Sequence, residues 1–114
     1  NRSIESVHKA ISFIDKNYTK NISLDDIASH VHLSKIYFHN LFLRSTGQTP
    51  HEYILSKRIN NVKFLLTATD KSFSDIAYDC GFSSQAYMTY AFKKRMSLTP
   101  MQYKKKLTNS KSGG

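Results

Sequence analysis

The sequence predicts an all-α fold in which two helix-turn-helix units are joined by one long central helix. Three observations carry that reading. First, Ser72 to Pro100 reads as a helix, a tight turn, a second helix and a stop. Ser72 with Asp75 three residues on has the spacing of a capping box, which satisfies free N–H groups at a helix start. Gly81 takes positive φ without Cβ strain, and Ser83 and Ser84 can cap the second helix. Tyr87, Met88, Ala91 and Phe92 then share one helical stripe. Two helices joined this closely make a helix-turn-helix. Second, the phrase occurs twice. Ser23 to Ala28 matches Ser72 to Ala77 at an offset of 49, and Tyr37-Phe38, Phe42 and Thr49-Pro50 match Tyr87-Met88, Phe92 and Thr99-Pro100 at an offset of 50. One extra residue in the second turn accounts for the slip, and the shared order of features marks two structural copies. Third, the segments before and between the copies space their apolar residues with a helical period.

Residues 3–18 place Ile4, Val7, Ile11, Ile14 and Tyr18 at steps of 3 and 4, an amphipathic helix with one core-facing stripe and Ser3 as its cap. Ser23 caps a helix to about Val31, and His32 then stands where Gly81 stands in the second copy. Histidine tolerates positive φ better than most side chains. Ser34 caps a helix from Lys35 to about Ser45, with Tyr37, Phe38, Leu41 and Phe42 as its buried stripe and Gly47 ending it. That leaves Lys35, Ile36, His39 and Asn40 on the outer face. An exposed Ile beside His and Asn suits a DNA groove better than solvent. Asn can pair with adenine N6/N7, and an apolar side chain can touch a thymine methyl.

Pro50 fits the first turn of the next helix, which runs to about Thr67 with Tyr53, Ile54, Arg58, Ile59, Val62, Leu65 and Leu66 on one face. Such a helix is a rod on the order of 27 Å, and successive major grooves on one face of DNA lie roughly 34 Å apart. The rod can therefore hold two recognition helices in adjacent grooves. Arg58 lies among apolar neighbours, so a structural role, paired with Asp26 or Asp75, is favoured over a DNA contact, because an unpaired buried charge is costly. Residues 68–71 form a loop. In the second copy Gln85 and Ala86, then Thr89 and Tyr90, face outward. Gln can bond adenine, and Ala allows close backbone approach. Tyr87 packs its ring and holds its hydroxyl within reach of a phosphate. Lys93, Lys94 and Arg95 stand at the helix end, where a charge run is read either as a solvated face or as a phosphate contact. Pro100 opens a last short helix over Met101, Tyr103 and Leu107, made basic by Lys104, Lys105 and Lys106, and 108–114 reads as a disordered tail.

Composition agrees with a polyanionic partner. Lys and Arg number 17 against 8 Asp and Glu, a formal net charge of +9. The excess is uneven, with 6 basic and 4 acidic side chains in residues 1–49 but 11 and 4 in residues 50–114. Cys80 is the single cysteine, so no intrachain disulfide forms and inert packing is its expected role. No apolar run approaches the roughly 18 residues needed to span a bilayer. Catalysis finds no support: the five histidines form no HExxH pattern, no cysteine pair completes a zinc site and no Gly-rich phosphate loop is present. Neither metal nor cofactor is expected, and a cytoplasmic location is.

These residues resemble the AraC/XylS family of bacterial transcription regulators. The resemblance rests on Ile27-Ala28 and Ile76-Ala77, Gly81-Phe82, Tyr37-Phe38, Arg58-Ile59, Leu65-Leu66, Phe92-Lys93-Lys94, and Thr99-Pro100 before Tyr103, and it spans roughly residues 3–107. It implies seven helices and a DNA-binding domain over 1–107, with helix-turn-helix units at about 23–46 and 72–96 and a linker helix at about 50–67. It implies that the helices beginning near Lys35 and Gln85 enter DNA. Base readers would be Ile36, His39 and Asn40 in the first and Gln85, Ala86, Tyr87 and Tyr90 in the second. Phosphate contacts would come from Lys35, Lys93 and Lys94 and from the capped helix starts at Ser34 and Ser84. Departures from the family pattern are His32 for the turn glycine, Met88 for Phe, Ser97 for Gly and Asn40 for a common arginine. Double-stranded DNA is the implied partner, with RNA polymerase added if the regulator is an activator. The effector or dimerisation domain of two-domain members is not expected within this chain. The rival readings are a helical protein-interaction module and a non-specific nucleic-acid binder.

Overall fold

The computed structural model describes residues 1–112. Among these it has seven helices and no strand: α1 (Arg2–Asn17), α2 (Leu24–His30), α3 (Lys35–Thr46), α4 (Pro50–Ala68), α5 (Phe73–Asp79), α6 (Gln85–Met96) and α7 (Pro100–Ser112). They fall into two compact units, Asn1–Lys57 and the chain from Arg58 onward, so the unbroken α4 contributes residues to both.

Each unit begins from the same local chemistry. Ser23 Oγ accepts from Asp26 N at 3.0 Å while Asp26 Oδ2 accepts from Ser23 N at 2.8 Å, a complete capping box. In the second copy Ser72 Oγ accepts from Asp75 N at 3.0 Å. Both turns then pass through positive φ, His32 at 59° and Gly81 at 94°. Ser34 and Ser84 cap α3 and α6, and both helices end in a left-handed residue, Gly47 at φ 80° and Ser97 at φ 65°. The Thr-Pro phrases open α4 and α7 through two further boxes that the sequence carried in plain sight as Thr-x-x-Glu and Thr-x-x-Gln. Thr49 exchanges bonds with Glu52 at 3.0 and 3.1 Å, and Thr99 with Gln102 at 2.9 and 3.1 Å.

Burial repeats with the sequence. Ile27 and Ala28 are buried, as are Ile76 and Ala77, and Phe38, Leu41, Phe42 and Pro50 are matched by Met88, Ala91, Phe92 and Pro100. In α1 the buried stripe is Val7, Ala10 and Ile14; in α4 it is Ile59, Val62 and Leu66, the same spacing at an offset of 52. The second half of α4 is thus the counterpart of α1. Within the first unit Asp15 Oδ1 accepts from Tyr53 Oη at 3.0 Å and pairs with Lys57 Nζ at 3.1 Å, tying α1 to the start of α4.

Four expectations need correction. Ile4 is 55% exposed, because it sits about 85° round the helix from the centre of the buried stripe at 100° per residue; Ala10 takes the central place. The cap of α1 is Asn1, whose Oδ1 accepts from Ser3 N at 2.7 Å, so Ser3 is already inside the helix. Tyr37 is 47% exposed rather than part of the core stripe. The tail expected over 108–114 is helical as far as Ser112, since no proline or glycine interrupts Met101 to Ser112; Gly113 and Gly114 lie outside the described residues.

Candidate nucleic-acid interface

On α3 the core takes Phe38, Leu41 and Phe42, and what that leaves outward is fixed by helical rotation. Ile36 is 75% exposed, with Asn40 exposed one turn on and Leu43 and Arg44 a further turn along. An isoleucine so open to water has no core role, and its stripe is polar or basic on both sides. Lys35 Nζ lies 3.7 Å from Asp25 Oδ2 with both side chains mostly in solvent, a weak surface pair. His39, expected on the outer face, is half-buried. Ser34 Oγ accepts from Tyr37 N at 3.3 Å, which leaves its hydroxyl proton to donate.

The second copy presents the same geometry with different chemistry. Gln85 and Ala86 are exposed in the first turn of α6, Tyr90 is 62% exposed one turn on, and Thr89 is half-buried. Ser84 Oγ accepts from Tyr87 N at 3.0 Å. Tyr87 itself is half-buried, its ring edge-on to Phe82 with centroids 5.7 Å apart. Burial holds the half-buried Arg58 guanidinium below its usual pKa, and Tyr87 is the electrostatic neighbour that opposes the shift. Asp26, one of the two carboxylates expected beside Arg58, accepts from its own cap N–H. Lys94 Nζ sits 5.8 Å from the centroid of the Tyr90 ring, and Lys93, Lys94 and Arg95 are exposed in the last turn, where the helix dipole favours cations.

The structure therefore brings Lys35, Ile36 and Asn40 onto one exposed face, and Gln85, Ala86, Tyr90, Lys93 and Lys94 onto another. It turns His39 and Tyr87 partly inward. Leu43 and Arg44 belong to the first face and were missed, although their spacing, three and four residues from Asn40 and seven and eight from Ile36, was there to be read. Gly81, expected to serve the turn, holds its positive φ. Cys80 is buried and burial pushes its thiol up to about 12, so it is not a nucleophile. Among the described residues no three His, Cys, Asp or Glu side chains gather where they could hold a metal ion. No helix there is long and apolar enough to cross a membrane.

Comparison with known proteins places this geometry. A helix-turn-helix domain family model matches residues 27–106. The melibiose operon regulatory protein of Escherichia coli (strain K12) is 38% identical over 99 residues, which cover 87% of this chain and 33% of that protein. The chain thus spans about a third of the length of such relatives. Among solved structures, a transcriptional regulator from Chromobacterium violaceum, described as an AraC-type DNA-binding domain-containing protein, superposes with a TM-score of 0.80 at 31% identity, covering 90% of this chain and 91% of that one. The DNA-binding domain of AdpA, solved in complex with a target DNA, shares the fold with a TM-score of 0.88 at 19% identity over 95% of this chain and 97% of that one.

Proposed function

This chain belongs to the AraC-type helix-turn-helix family, and from that premise we propose that it is the sequence-specific, double-stranded DNA-binding part of a bacterial transcription regulator. The observation that carries the reading is the repeated exposure pattern: α3 and α6 each bury three residues at matching positions and leave base-competent side chains outside. Ile36 and Asn40 suit a thymine methyl and an adenine edge, Gln85 an adenine edge, and Ala86 and Tyr90 a close apolar approach. His39 and Tyr87 contribute from the flanks of those faces. Lys35, Lys93 and Lys94, with the capped helix starts at Ser34 and Ser84, contact phosphates and set register without reading sequence. The unbroken α4 supports reading of two adjacent major grooves by one chain. A cytoplasmic location accords with that role, and RNA polymerase is the partner if the regulator activates.

Selection from random duplexes at physiological salt tests the proposal. The expected product is a bipartite site whose halves are spaced by about one helical turn, roughly 10 base pairs. Enrichment of no sequence would assign the chain to non-specific binding, and no retention of duplex at all would assign it to protein interaction.

A further inference from the structure

The first unit contains a cavity of about 510 Å³ between the first turns of α1, the α2–α3 turn and the start of α3. The second unit shows what is missing there. The α1 and α4 stripes align at an offset of 52, which makes Ser6 the counterpart of Arg58; α3 and α6 align at an offset of 50, which makes Tyr37 the counterpart of Tyr87. In the second unit the long Arg58 side chain is half-buried with Tyr87 as its electrostatic neighbour. In the first unit the short Ser6 and the exposed Tyr37 both line the open cavity. The aromatic support differs too, since Leu33 stands where Phe82 carries the Tyr87 ring. At matching positions one copy carries a long, half-buried arginine and the other a short serine that lines an open cavity.

The walls say what fits. Arg2 and Lys9 stand on the α1 side, and His30 and His32 line the cavity where the second copy has Asp79 and Gly81. Glu5, three residues after Arg2 and four before Lys9 on the same helix face, also lines it and offsets one of those two charges, leaving a net excess of one. The floor is apolar, with Val31 7% and Leu41 5% exposed. The volume lies in the range that holds small organic molecules, and the lining joins this apolar floor to a polar, charged rim. We propose that this cavity binds a small aromatic carboxylate, its flat body on Val31, Leu41 and the Tyr37 ring and its carboxylate at the rim ammonium of Lys9. A bare phosphate, free or on a nucleic-acid backbone, would leave the apolar floor unused.

The proposal is independent of DNA reading and is tested without DNA. Backbone amide shifts of the full chain are followed by NMR during titration with 2-naphthoate, its neutral amide and inorganic phosphate, in the parent, in Ser6→Arg and in Lys9→Glu. Saturable shifts at Ser6, Val31 and Tyr37 are expected with naphthoate, with the amide weaker by about tenfold and both variants weaker by at least about tenfold. Ser6→Arg imports the side chain that the second unit carries at the matching position. If it loses the dispersed spectrum of the folded chain, the exposed Lys9→Glu carries the test alone. Absence of saturable shifts up to about 10 mM naphthoate, a range that includes weak binding, overturns the proposal. So does equal binding by the parent and the folded variants. Competition by inorganic phosphate at concentrations equal to naphthoate overturns it as well, and reassigns the rim as a phosphate clamp.

Discussion

Tyr37 and Tyr87 occupy the same position in two copies of one phrase, yet one stands in solvent and the other packs. The difference lies in their neighbours: Phe82 meets the Tyr87 ring edge-on and Arg58 is its electrostatic neighbour, whereas the matching positions in the first copy hold Leu33 and Ser6. Position in a repeat predicts direction, and the partner decides burial. The same reasoning ranks the residues proposed to read bases. Asn40 and Gln85 are fully presented, so Asn40→Ala and Gln85→Ala should each relax preference at one half of the site by roughly 1–3 kcal/mol. Unchanged base preference for both variants in a competition assay would remove them from the interface. A second pair of substitutions tests the backbone. Ser97 holds φ 65° where the first copy has Gly47 at φ 80°. The left-handed conformation costs a non-glycine residue roughly 1–2 kcal/mol, and glycine's extra freedom in the unfolded chain gives back about 0.5–1 kcal/mol. Ser97→Gly should therefore stabilise by about 0.5–1 kcal/mol in urea unfolding. Gly47→Ala should destabilise by a similar amount through φ alone, since a Cβ there meets nothing within 4 Å. Opposite signs in both would show that the turns, not the residues, set the strain.

Among the elements, what the sequence made legible was what short-range chemistry fixes. Caps at Ser23, Ser34, Ser72 and Ser84, a glycine stop at Gly47, and apolar stripes of helical period gave helix number and order to within a residue or two. What it hid depends on partners distant in the chain. Ile4 satisfies the α1 period and is nonetheless exposed, and His39 lies on the expected face but is half covered. The link between α1 and α4 was likewise invisible, because Asp15 and Tyr53 are 38 residues apart. That link has a pH signature. Its bond to Asp15 raises the Lys57 pKa above 10.5, while burial first and the Asp15 bond second raise that of Tyr53 above 10.0. Both folded values exceed the unfolded ones, so their contribution is fully present below about pH 10 and is lost as pH rises through the raised values. The Lys57–Asp15 pair is 35% and 40% exposed, so solvent screening keeps the effect small. Urea midpoints taken from neutral pH upward should fall more steeply above pH 10 in the parent than in Asp15→Asn; parallel curves would place the link outside the stabilising contacts.

For the molecule as a whole, the uneven charge predicts an uneven division of labour. Residues 1–57 carry 7 basic and 5 acidic side chains, and residues 58–114 carry 10 and 3. The first unit also presents the more apolar reading face, Ile36 and Leu43 against Lys93 and Lys94 further along the second. Counterion release makes log K fall with log salt by about 0.9 per neutralised phosphate, so the salt dependence of binding should come mainly from the second unit. Lys93→Ala with Lys94→Ala should flatten the slope by about 2 while weakening all duplexes alike. Lys35→Ala should flatten it by less than about 1, because Asp25 already sits 3.7 Å from that ammonium and part of its charge is compensated before DNA arrives. Equal slope changes per lysine in the two units would mean that Asp25 swings away on binding and that net charge, rather than its distribution, governs affinity.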